Sequence, residues 1–271
     1  MLAEENNRLL SPMPVFIAIG VSAAAALLAF LLRSLSPTGA IAATAIGSAI
    51  LWATGWLGAA VLGTYFVAAS VASRLSVQAR GDAEEAKSET RNHRQVLANG
   101  GFAALGALAE PAVPGLGLWL LTVGLAAACG DTWATALGSL SPRTPRDLLT
   151  RQPVVRGTSG GVTGLGISAG ILGAGLIGLV GTSVTGRGSL MLVAAGIGTT
   201  AMLLDSALGS RLQVRYHCAR CDQATERSPH GCGTMPTPVR GIRWLDNDGV
   251  NAAVTALAVA SGALLWPLVG G

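Results

Sequence analysis

Apolar residues run along this chain in long blocks separated by shorter polar stretches. The blocks lie near 13–32, 38–54, 56–73, 96–109, 115–138, 161–181, 188–208 and 249–269. A helix rises about 1.5 Å per residue and the hydrocarbon core of a bilayer is about 30 Å thick, so roughly 20 apolar residues cross it. The pattern therefore predicts an all-α, polytopic transmembrane bundle of about eight spans, with residues 1–271 as a single transmembrane domain. The fourth block is the weakest, because Glu110, Pro111 and Pro114 close it early, and it reads as a short or re-entrant element. The first block resembles a secretory signal in length. Glu4 and Glu5 precede it with only Arg8 positive, and no convincing small-residue cleavage site follows, so it reads as a span.

With eight spans, the loops at 33–37, 74–95, 139–160 and 209–247 share one side. Those loops hold sixteen of the eighteen Lys and Arg residues, and only Arg8 and Arg187 fall on the other side. By the positive-inside rule the long loops are cytoplasmic and both termini lie outside, which suits a multi-pass protein of the cell (inner) membrane. Composition agrees: 51% of residues are hydrophobic and 12% charged, about half the charge of a soluble domain. The 37 glycines suit membrane helices, whose backbones pack closely through small residues. Because orientation accounts for the cations, no nucleic-acid partner is expected.

Three polar segments are set apart from the spans. Residues 81–95, GDAEEAKSETRNHRQ, read as a cytoplasmic amphipathic helix capped by Asp82, with Lys87, Arg91 and Arg94 on one face. Lys87 is its candidate catalytic cation. Residues 139–160 are rich in Pro, Arg and Gly. Residues 211–245 form a small cysteine-rich cytoplasmic loop in which Cys218 and Cys221, in C-x₂-C spacing, are followed by His230 and Cys232. Three thiolates and an imidazole make a tetrahedral zinc set of the structural kind, with His217 as a substitute ligand. Cys129 stands alone in an apolar block and reads as a packing residue.

Within the spans the carboxylates are Asp131 and Asp205. A charge at membrane depth is costly and usually faces a polar cavity, so both are candidate catalytic residues and Asp131 a candidate metal ligand. Thr135 follows Asp131 by one turn, and Gly209 follows Asp205 by one turn, where a ligand could approach the backbone. The run RGTSGGVT at 156–163 stands just ahead of an apolar block. Gly157, Thr158, Ser159, Gly160 and Gly161 there would form a loop at a helix N-terminus, a natural phosphate site, with Arg143 and Arg146 upstream as guanidinium partners. It lacks the Gly-Lys-Ser/Thr of a Walker loop. Where the last loop re-enters the bilayer, WLDNDGVN at 244–251 offers Asp246, Asp248 and Asn251 as hard oxygen ligands for Mg²⁺. Asp248 also suits the N-cap of the last helix.

Taken together, QVLANGG at 95–101, GDTWAT at 130–135, SPR at 141–143, the 156–163 loop and the WLDND and VN motifs at 244–248 and 250–251 resemble an integral-membrane family. It includes the plant phytyl-phosphate kinases of the vitamin E pathway. The resemblance runs from about Gln95 to Asn251. It implies transfer of a phosphoryl group, with CTP as donor, onto an isoprenyl monophosphate to give the diphosphate. On that resemblance Asp131 and Thr132 belong to an acidic motif, Asn99 and Gly100 to an asparagine-glycine motif, and Asn247 and Asn251 to a closing polar cluster. The chain departs from the family after Thr135, where Ala136 stands in place of a glutamate and removes a possible metal ligand or base. Two other classes fit the residues: a transporter or flippase of a phosphorylated lipid or anion, and a CTP-dependent lipid-phosphate cytidylyltransferase.

Overall fold

The computed structural model describes residues 13–80, 90–226 and 228–269. Among these, seven helices carry the chain: α1 (Val15–Leu31), α2 (Pro37–Arg80), α3 (His93–Ala107), α4 (Leu116–Gly138), α5 (Gly164–Thr185), α6 (Gly188–Arg211) and α7 (Asn247–Val269). Five of them, α2, α4, α5, α6 and α7, are long and apolar enough to cross a membrane. The 17-residue α1 and 15-residue α3 are shorter, so the figure of eight spans is approximate.

The break inside α2 accounts for two of the expected runs. Gly55 has φ 59° and ψ −150°, a conformation a residue with a Cβ rarely adopts, and the chain reverses there. Arg74 Nη2, late in α2, reaches the Leu32 carbonyl at 2.8 Å, whereas Trp52 O accepts from Met13 N–H at 3.2 Å at the opposite end. Both ends of α2 therefore lie together, and with its two halves counted separately the helical segments follow the eight apolar blocks in order.

The remaining joins place the long loops at that same end. Ser76 and Ser139 hydroxyls meet at 3.0 Å, Ser210 Oγ donates to Asp147 at 2.6 Å, and Arg94 pairs with Asp246 at 2.6 Å. At the far end Glu110, buried, accepts from the N–H groups of Gly115 and Leu118 at 2.7 and 2.8 Å, capping the start of α4. Arg187 stacks 4.7 Å over Trp266 there. Every loop that carries described cations other than Arg187 is thus gathered at one end.

Helix α4 is the axis of the bundle, buried without interruption from Gly117 to Gly130. Its neighbours approach it through glycine. A Cβ on Gly130 would lie 3.2 Å from the Gly170 carbonyl of α5, and one on Gly198 of α6 would lie 3.0 Å from the Ala126 carbonyl. Helices in lipid gain no hydrophobic drive from meeting, so such close backbone contact supplies the packing. Trp119 fills the centre, donates Nε1–H to Gly262 O at 2.9 Å and meets Trp266 edge-on at 5.6 Å. The perimeter is apolar and exposed, with Phe16, Leu172, Leu192 and Leu264 each at least 66% accessible, as a lipid-facing surface requires.

The cysteine-rich segment has more structure than an irregular loop. Strands β3 (Arg215–Cys218), β4 (Gln223–Thr225) and β5 (Thr237–Arg240) form an antiparallel sheet in the order β4-β3-β5. A shorter pair, β1 (Arg146–Asp147) and β2 (Gly161–Val162), pins the two ends of the glycine-rich segment together.

Candidate functional site

A cavity of about 650 Å³ opens at the loop end, among α2, α3, α4, α5, α6 and α7. Its wall brings together Asn99, Asp131, Thr132, Asp205, the loop 157–161, Asn247, Asp248 and Asn251. These candidates come from segments as far apart as α3 and α7.

Asp131 and Asp205 sit on adjacent, closely packed helices, and their carboxyl groups lie close enough to interact. Asp205 Oδ2 is buried with no hydrogen-bond partner. Burying an unpaired carboxylate oxygen is costly, and two facing carboxylates with one unbonded oxygen suit a divalent cation. The residues present therefore fit Mg²⁺. Ala136 lines the same cavity, so that position contributes a methyl group and no third carboxylate. Thr135 also faces the cavity, whereas Gly209 packs against Ser159 and Gly160 and presents its backbone to the loop rather than to a ligand.

The glycine-rich loop is held from several directions. Gly157 and Gly160 have φ of +81° and +88°. A Cβ on Gly160 would come within 2.6 Å of Ser210 Cβ, so this glycine permits close packing on α6. Thr163 caps α5, its Oγ1 accepting from Gly166 N–H at 3.0 Å. Asp147 anchors the base. It accepts from Leu149 N–H, Thr150 N–H, Thr150 Oγ1 and Ser210 Oγ. Its burial opposes ionisation, but the hydrogen bonds, led by that of Ser210, bring its pKa down to about 2. A depressed carboxylate stabilises the fold above its unfolded pKa near 4 and loses that contribution as pH falls toward 2. Asp147→Ala is expected to cost on the order of 2 kcal/mol at neutral pH. Limited trypsin digestion should then cut at Arg151 several-fold faster, whereas the wild-type loop should loosen only on acidification below about pH 4.

The loop's polar groups already hold an anion. Glu226, from the cysteine-rich segment, accepts from Ser159 N–H at 2.8 Å and from Ser159 Oγ, and from Gln213 Nε2 at 2.9 Å. Arg215 donates to Ser159 O at 2.8 Å and approaches Glu226 at 3.7 Å.

Other candidates are placed differently. Arg143 and Arg146 are exposed and do not line the cavity, and Arg146 Nη1 binds the Arg151 carbonyl at 3.0 Å. Arg156 and Arg91 line it instead. Asp246 is the cap of α7, accepting from Gly249 N–H at 3.0 Å, and pairs with Arg94. Asp248 therefore occupies the first turn, not the cap, and faces the cavity. Gly100 faces an apolar pocket beside α3. Lys87 and Asp82 lie outside the described residues. The helix that follows begins at His93, capped reciprocally by Asn92 and Gln95.

The cysteine cluster stands in the segment between α6 and α7. The ligand atoms of Cys218, Cys221, His230 and Cys232 all lie within 4.8 Å of one another, as a four-coordinate metal site requires. Hydrogen bonds from Thr234 and then His230 pull the Cys232 thiol down to about 5, favouring the thiolate that binds metal. His217 is instead paired with Asp222 at 3.1 Å.

The family model described as "Integral membrane protein DUF92" matches residues 20–259. The chain belongs to this family. An uncharacterized membrane protein of Methanocaldococcus jannaschii is 31% identical over 198 residues, covering 72% of this chain and 82% of the relative. Protein PGR of Arabidopsis thaliana is 27% identical over 266 residues, covering 86% of this chain and 90% of the relative. No solved structure matches. The family match includes every cavity residue named above, and the plant relative agrees with the resemblance to a family with plant members.

Proposed function

We propose that the protein is a membrane phosphotransferase that converts an isoprenyl monophosphate to the diphosphate, with a nucleoside triphosphate, CTP, as donor. The observation that carries this reading is the convergence of the Asp131–Asp205 carboxylate pair and the glycine-rich loop on one polar cavity. In the reaction the bond between the β-γ bridging oxygen and the γ-phosphorus breaks. An oxygen of the lipid monophosphate bonds to that phosphorus, and nucleoside diphosphate leaves. Such transfer is largely a matter of alignment and charge neutralisation. Asp131 and Asp205 would hold Mg²⁺, which supplies charge neutralisation at the phosphates. The N–H groups of Gly157 and Gly160, that of Ser159 once Glu226 gives way, and the α5 N-terminus would orient the donor phosphates, and Arg91 and Arg156 supply positive charge at the wall. With the loop end cytoplasmic, as the cation bias supports, nucleotide enters from water and the lipid from the bilayer. Zn²⁺ at the cysteine cluster is structural in this account.

The Glu226 carboxylate occupies donors that a nucleotide phosphate would use. Glu226→Gln keeps an acceptor for Ser159 but removes the competing charge, and it should tighten CTP binding roughly tenfold, about 1.4 kcal/mol. Calorimetric titration of CTP into the detergent-solubilised protein measures this; unchanged or weaker binding would count against the loop as the nucleotide site. The function itself is tested by nucleotide turnover in detergent. A phosphotransferase consumes CTP only when prenyl phosphate is present and needs no second compartment, whereas a transporter consumes none.

A further inference from the structure

Next to the polar cavity lies an apolar pocket of about 220 Å³ between α1, the two halves of α2, and α3. The two spaces share Arg91, Gln95 and Asn99 in their walls. Small side chains keep the pocket open along its length, among them Ala26, Ala29, Ala43 and Gly47. From Ala43 to Leu51 it follows eight residues of helix, roughly 12 Å of membrane depth.

Arg91 marks the mouth. Its main chain is tied to the α1–α2 connection, with N–H to Ser34 O and carbonyl to Ser36 N–H, both 3.1 Å. Its guanidinium has no hydrogen bond or ion pair to a carboxylate among the described residues, although Arg94, three positions on, pairs with Asp246 and Asp248. A cation held where an apolar slot meets a polar cavity is complementary to an amphiphile with an anionic head.

We propose that this pocket seats the hydrocarbon tail of a single-chain lipid phosphate whose head lies against Arg91. The proposal deepens the functional reading above, and rests on it for the identity of the head as an acceptor. The tail's alternative surroundings are lipid, not water, so entry into the pocket gains little from hydrophobic transfer. Affinity then comes from the phosphate at Arg91, and discrimination between tails from the shape of the slot.

Binding can be tested without nucleotide, which separates the two claims. The probe is dodecyl phosphate carrying a terminal diazirine, photolysed with the full-length protein in detergent. Labelling is expected near Leu51 and Ala59, at the deep end of the pocket, and should be displaced by unlabelled dodecyl phosphate but not by dodecanol. Ala43→Phe, and as a second variant Ala25→Phe, should each weaken dodecyl phosphate binding at least tenfold and leave CTP binding unchanged, which also reports that the variant is folded. Arg91→Gln should weaken the phosphate probe strongly. Labelling confined to outward-facing residues such as Phe16 or Leu172, equal displacement by dodecanol, or wild-type binding by both phenylalanine variants would overturn the proposal. Pocket labelling in a protein without kinase activity would sink the functional reading alone. Kinase activity without pocket labelling would sink the tail site alone.

Discussion

Asp131→Asn should lower phosphoryl transfer on the order of a thousandfold while leaving the protein folded. The substitution keeps size and a carbonyl acceptor but removes one of the two carboxyl groups that meet between α4 and α6 and would hold the metal. Metal-assisted charge neutralisation is worth several kcal/mol in the transition state, and each 1.36 kcal/mol is tenfold in rate. Folding should survive, because Asp131 is half-buried at the cavity wall, while α4 and α5 meet through Gly130 and Gly170 on another face. Nucleotide affinity should become insensitive to Mg²⁺, which titration with and without EDTA reads directly. A variant with normal, Mg²⁺-dependent turnover would move the metal to Asp205 and Asp248.

Removing metal from the cysteine cluster should have the second-largest effect, on structure. The three-stranded sheet has few buried apolar residues beyond Val214 and Cys218, so a metal cross-link among Cys218, Cys221, His230 and Cys232 would be its main support. Small zinc sites contribute free energies on the order of 10 kcal/mol. Metal analysis should find about one zinc per chain, lost in the Cys218→Ser, Cys221→Ser double variant. Hydrogen exchange should then rise across 211–245 and also at Ser159, because Arg215 of β3 and Glu226, just after β4, hold that residue. A metal-free protein with wild-type exchange in both segments would show that the cluster is not structural.

The bundle was legible because its signal is local. Apolar runs of helical length and cations confined to alternate loops require no knowledge of contacts, and Asp131 and Asp205 stood out as charges inside such runs. The 211–245 segment was legible in its ligands but not in its sheet, since strands of three or four residues carry too little periodicity. What was missed depends on distant pairing. Glu226 meets Ser159 across 67 residues, and Arg91 reaches the cavity because the α1–α2 connection clamps its main chain. Arg143 and Arg146 sit close to the loop in sequence, but both are exposed and away from the cavity, while Arg156 lines its wall. Asp246 and Asp248 were indistinguishable as cap and ligand until the start of α7 was fixed.

The most direct test of the central claim is the product balance of the purified wild-type protein given Mg²⁺, γ-labelled CTP and an isoprenyl monophosphate. Labelled isoprenyl diphosphate and CDP are expected in equal amounts. Pyrophosphate with a cytidylyl-linked lipid, or no consumption of CTP across a panel of isoprenyl phosphates, would contradict it.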